Sequence, residues 1–77
     1  MYSKGGVQMK FTLKQARNYA GLTQEEVAKK LGISTLTYSK YERGKSDISA
    51  KQAKKFSKLV GIEMDNLIFL GDKVYVS

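Results

Sequence analysis

The sequence predicts an all-α domain of about five short helices, and three observations lead there. Apolar residues recur at three- and four-residue spacing from Leu13 to Leu67. A hydroxyl residue stands just ahead of four of these segments, at Thr12, Thr23, Ser34 and Ser49, where its oxygen can accept from the open amides of a first helical turn. Glycines follow at Gly21, Gly32, Gly44 and Gly61, the residue that ends a helix when the chain must turn left-handed.

From Phe11 the pattern is helical. Thr12 caps a first helix in which Leu13, Ala16, Arg17 and Ala20 share one face, and Gly21 ends it. Thr23 and Glu26 form a capping box at the start of the second, each side chain serving an amide near the other. Val27, Ala28 and Leu31 make its buried stripe, and Gly32 stops it. Ser34 caps the third helix, which carries Leu36, Tyr38 and Tyr41 and closes at Gly44. A connector over residues 45–48 leads to the fourth cap, Ser49. Ala50, Ala53, Phe56, Leu59 and Val60 then form an apolar face that closes at Gly61. Met64, Leu67 and Ile68 suit a short fifth helix beginning near Glu63 or Asp65. Past Gly71, Val74 and Val76 alternate with Lys73, Tyr75 and Ser77, a period-two pattern that suits a short C-terminal strand. The chain therefore divides into a basic N-terminal arm (residues 1–10), a folded domain (11–70) and a tail (71–77).

Composition narrows the function. The chain has 77 residues, enough for one domain, and contains neither cysteine nor histidine. Disulfides and thiolate metal sites are thereby excluded, and the commonest metal ligand and general base are missing. The seven carboxylates fall in no acid–base or metal pattern. No glycine-rich phosphate loop is present, Gly5-Gly6 being isolated. The expectation is a non-enzyme with no catalytic residues, no metal, no cofactor and no small-molecule substrate. No apolar run reaches the roughly 18 residues of a membrane span, and no secretory signal opens the sequence, which points to the cytoplasm. Fourteen Lys and Arg against seven Asp and Glu give a net charge of +7. Such a field attracts polyanions, nucleic acid first, with anionic membrane or an acidic protein as other takers.

The informative feature is the spacing from Gln24 to Glu42. Two short helices meet through a glycine with almost no linker, the arrangement of a helix-turn-helix unit, here over residues 23–43. A steep crossing needs a small residue where the helices touch, and Ala28 supplies it. It needs a residue that tolerates the turn, and Gly32 supplies it. Val27 and Leu31 before the turn, and Ile33, Tyr38 and Tyr41 after it, are the apolar anchors.

The stretch GLTQEEVAKKLGISTLTYSKYERGK (residues 21–45) resembles the Cro/CI-type, or xenobiotic-response-element, family of phage and bacterial regulators. The similarity runs from about Phe11 to Leu70. The tail, AKQAKKFSKLVGIEMDNLIFL followed by KVYVS, further resembles small phage-encoded members. The resemblance implies a compact five-helix, lambda-repressor-like domain that binds operator DNA as a homodimer, with the third helix in the major groove.

Site residues follow from the same resemblance. Thr35, Leu36, Ser39 and Lys40 match the family's base-reading positions. Lys40 suits guanine O6 and N7, Leu36 a thymine methyl, and Thr35 a base or a phosphate. Many members carry Gln, Arg or Asn where this chain has Thr35 and Leu36, which leaves more of the readout to Lys40, apolar contact and DNA shape. Thr23, Gln24, Ser34, Thr37, Tyr41, Arg43, Lys45 and Ser46 are the phosphate-binding candidates, with a core role for Tyr41 an equal alternative. Arg17 and Glu42 match a structural ion pair between helices one and three. Lys51, Lys54, Lys55 and Lys58 read as a solvated face, and Lys4 and Lys10 as arm residues near the DNA backbone. Leu67, Ile68, Phe69, Leu70, Val74 and Val76 are the dimer candidates, with closure of the core an alternative for Leu67 and Ile68. The competing function is an antirepressor- or antitoxin-like module that binds a second regulatory protein.

Overall fold

Each helix begins where the sequence places a hydroxyl. In a computed structural model describing residues 10–69, the order is β1 (Phe11–Thr12), α1 (Leu13–Tyr19), α2 (Gln24–Leu31), α3 (Thr35–Glu42), α4 (Ala50–Val60), one 3-10 turn (Met64–Asn66) and β2 (Leu67–Ile68). Thr23 Oγ1 accepts from the Glu26 amide at 3.0 Å, and Glu26 Oε1 accepts from the Thr23 amide at 2.8 Å. Thr12 and Gln15 repeat this reciprocal box on α1, at 3.1 and 2.9 Å. Ser34 and Ser49 accept from the amides of Thr37 and Gln52. A cap of this kind contributes about 1 kcal/mol.

The turn between α2 and α3 follows from Gly32. Its φ of 76° lies in the left-handed region, which a Cβ disfavours. That turn lets the Ile33 amide donate back to the Ala28 carbonyl at 3.0 Å, satisfying an end that α2 would otherwise leave open. Ser34 then starts α3, so three residues separate the helices. Gln52 on α4 donates from Nε2 to the Leu31 carbonyl at 3.1 Å, fastening α4 to the same turn.

The core sits beneath this corner. Leu13 and Ala16 of α1, Val27, Ala28 and Leu31 of α2, Tyr38 of α3, and Phe56 and Val60 of α4 enclose one cluster, joined by Ile62 and Leu67. The Tyr38 and Phe56 rings stack with centroids 6.2 Å apart. Burying a side chain of the size of Leu13, Leu31 or Phe56 contributes about 1.5–3 kcal/mol. Among the described residues no helix is long and apolar enough to cross a membrane.

The fifth helix does not form, and the domain is not purely helical. Met64–Asn66 makes a single 3-10 turn, and Leu67–Ile68 is extended. Glu63 provides no side-chain cap for a helix here. Met64, Leu67 and Ile68 have helical spacing, but Leu67 and Ile68 are taken up by a strand partner. They pair instead with Phe11–Thr12, which are strand rather than helix. The two strands run parallel, Phe11 opposite Leu67 and Thr12 opposite Ile68. Lys10 Nζ donates to the Asp65 carbonyl at 2.7 Å, a bond to the same segment. The expected arm residues 1–9 and the strand proposed around Val74 and Val76 lie outside the described residues.

Candidate DNA interface

Glu42 fastens α3 to the helices behind it. Its carboxylate is buried and accepts from three donors. Arg17 Nε lies 2.6 Å from Oε2, Arg17 Nη2 3.4 Å from Oε1, and Gln24 Nε2 2.9 Å from Oε1. Arg17 Nη1 also donates to the Leu22 carbonyl at 2.9 Å. Helices α1, α2 and α3 and the loop before α2 are thus joined through one ion pair, whose side chains are 12% and 5% exposed. Burial pushes the Glu42 carboxyl up, but Arg17 first, then the Tyr38 hydroxyl and Gln24, outweigh it and hold the group below its ordinary value. The same hydrogen bond from Glu42 raises the Arg17 guanidinium, so both groups stay charged. The Tyr38 hydroxyl lies beside the pair, buried and without a well-formed hydrogen bond among the described residues. Burial, reinforced by the pull of the Glu42 carboxylate on the hydroxyl proton and then by its charge, pushes this phenol well above its ordinary value.

With Tyr38 and Glu42 turned inward, the opposite side of α3 is open. Leu36, Lys40 and Arg43 follow one another at i, i+4 and i+7 and form one exposed stripe, with Thr35 exposed and Ser39 half-buried at its margin. Leu36 is 63% exposed, one of the two large apolar side chains so placed among the described residues; the other is Tyr19. Arg43 Nε reaches the Ser39 carbonyl at 3.4 Å. Lys45 is exposed and Ser46 half-buried in the loop that follows.

Several candidates have a structural task. The hydroxyls of Thr23 and Ser34 accept the capping bonds, and Ser34 also donates to Thr37 Oγ1 at 2.9 Å. Gln24 directs one Nε2 hydrogen to Glu42, leaving the second amide hydrogen for another acceptor. Tyr41 is half-buried and packs against the core. Leu67 is buried in the core of its own chain, so it offers little surface to a partner, whereas Ile68 and Phe69 remain half-buried. Leu70, Val74 and Val76 lie outside the described residues. Lys10, read as an arm residue near DNA, is bonded to Asp65.

A family model described as helix-turn-helix matches residues 13–67, from the first residue of α1 to the first of β2. The chain belongs to the helix-turn-helix family. The stretch that resembles the Cro/CI type lies within the matched residues. The chain is 42% identical over 64 residues to an uncharacterised HTH-type transcriptional regulator of Methanocaldococcus jannaschii, covering 83% of this chain and 97% of the relative. It is 41% identical over 56 residues to the HTH-type transcriptional regulator ImmR of Bacillus subtilis, covering 73% of this chain and 44% of ImmR. The SPbeta prophage-derived uncharacterised HTH-type transcriptional regulator YonR of the same organism is 38% identical over 56 residues, covering 73% and 52%. The helix-turn-helix domain thus spans about half of each Bacillus relative. No solved structure matches the chain.

Two contacts of this helix-turn-helix domain escape sequence reasoning. The Arg17–Glu42 pair follows from the resemblance, but Gln24 as its third member does not. The two residues are 18 apart and no local pattern links them. The Gln52 bond to the Leu31 carbonyl likewise joins positions 21 apart.

Proposed function

We propose that this DNA-binding transcription regulator is a cytoplasmic repressor, phage-derived in type, that reads operator DNA with α3 in the major groove. The observation that carries this reading is the exposed stripe of Leu36, Lys40 and Arg43 on a helix whose other side is pinned by Tyr38 and the Glu42 ion pair. A fixed helix with a free outward face can enter the groove without rearranging its core. Lys40 bonds guanine O6 and N7, and Thr35 and Ser39 make the short polar contacts to base edges. Arg43, Lys45 and Ser46 bear on phosphates along one flank. On the other flank the Gln24 amide, steadied by Glu42, donates its second hydrogen to a phosphate beside the open amides of the first turn of α2. The capping hydroxyls of Thr23 and Ser34, together with Thr37 and Tyr41, border the same phosphates.

The functional unit is a homodimer, with the half-buried Ile68 and Phe69 contributing to its interface. Selection of bound duplexes from a random pool tests the reading. The expected product is an inverted repeat with half-site centres about one helical turn apart. Binding without enrichment, vanishing steeply as salt rises, would contradict it and favour the second reading, a module that docks on another regulator. The exposed Leu36 is the observation that supports this second reading.

A further inference from the structure

Leu36 is the second residue of α3 and stands at the start of its exposed stripe, one turn before Lys40. An aliphatic side chain 63% exposed to water forgoes most of the stabilisation that burial would give it. It carries no donor or acceptor, so it cannot distinguish an exocyclic oxygen from an exocyclic amine. The apolar feature that a pyrimidine presents in the major groove is a methyl at C5. Thymine carries this methyl. So does 5-methylcytosine, on the same ring carbon and in the same groove. Thr35 and Ser39, its polar neighbours on the helix, are short, and Lys40 is the long donor of the reading face. At the base that Leu36 covers, the methyl itself is therefore the discriminating group.

We propose that Leu36 is a reader of the pyrimidine C5-methyl, so that 5-methylcytosine serves where thymine serves and operator binding responds to cytosine methylation at that position. The inference rests on α3 being the groove helix.

The test uses the full chain and the selected operator. Each thymine is replaced in turn by deoxyuridine, which removes the methyl and leaves O4 in place, and affinity is measured by fluorescence anisotropy at fixed salt. One position in each half-site should weaken by about fourfold, the equivalent of one buried methyl group. At that position cytosine should bind more weakly than 5-methylcytosine by a similar factor. Both differences should fall below about twofold in Leu36→Ala, whose fold is checked by circular dichroism. Specific binding with no uracil-sensitive position would overturn the inference, as would a sensitivity that persists in Leu36→Ala. Failure of the underlying groove reading is distinguishable, because the pool would then yield no operator to modify.

Discussion

Removing the Glu42 carboxylate should destabilise the domain more than any surface change. In Glu42→Ala, Arg17 loses its 2.6 Å partner while Nη1 stays bonded to the Leu22 carbonyl, which holds the guanidinium in place. Gln24 loses its acceptor as well. Hydrogen bonds to a charged group contribute about 1.5–3 kcal/mol each, and breaking a buried ion pair by removing one member costs about 3–5 kcal/mol. Arg17 keeps a little exposure, so the lower end, about 3 kcal/mol, is the appropriate figure. A chain of 77 residues has roughly 4–12 kcal/mol of stability in total, so the variant should lose at least a quarter of it. Urea unfolding at neutral pH followed by circular dichroism measures this, with an unchanged slope certifying the comparison. A loss below about 1 kcal/mol would refute the reasoning. The double variant Arg17→Met with Glu42→Leu should be more stable than Glu42→Ala, because no buried charge is left unpaired.

Acid should have the same effect as the substitution. The folded carboxyl is held below its ordinary value of 4.5, so its contribution is complete above that value and is lost as pH falls through the lower folded one. Urea midpoints should therefore decline below about pH 4.5, and less so in Glu42→Gln. Tyr38→Phe removes a buried hydroxyl that has no well-formed bond and keeps the stack on Phe56; it should leave stability unchanged or raise it by about 1 kcal/mol, as read by thermal unfolding. A loss above that size would show that the hydroxyl is bonded. Gly32→Ala meets no neighbouring atom but forces a left-handed φ on a Cβ, and should cost about 1–2 kcal/mol in the same assay.

Caps and turns were legible in the sequence because they are local. Thr12, Thr23, Ser34 and Ser49 act within three residues of themselves, and the left-handed conformation of Gly32 is a single-residue property. Gln15, three residues after Thr12, carries the same capping-box signature as Glu26 after Thr23. The core residues Leu13, Val27, Leu31, Tyr38 and Phe56 were legible because helical spacing places them on inward faces. The C-terminal segment was not. Met64, Leu67 and Ile68 have the spacing of a helical turn, and nothing near them announces that Phe11–Thr12, at the other end of the domain, offers an edge to pair with. The Gln24–Glu42 bond is hidden for the same reason, being a contact made by the crossing of two helices.

Comparison of two lysine variants on the selected operator tests the assignment of α3 most directly. Binding to operator and to a scrambled duplex is measured at one salt concentration for the native chain, Lys40→Ala and Lys55→Ala. Lys40 is exposed in the middle of the α3 stripe, and Lys55 is exposed on α4. Loss of a two-acceptor guanine contact costs about 1–3 kcal/mol, so Lys40→Ala should reduce the preference for operator by about fivefold or more. Lys55→Ala should leave that preference unchanged. Equal effects of the two substitutions on the preference would contradict the assignment of α3 as the reading helix.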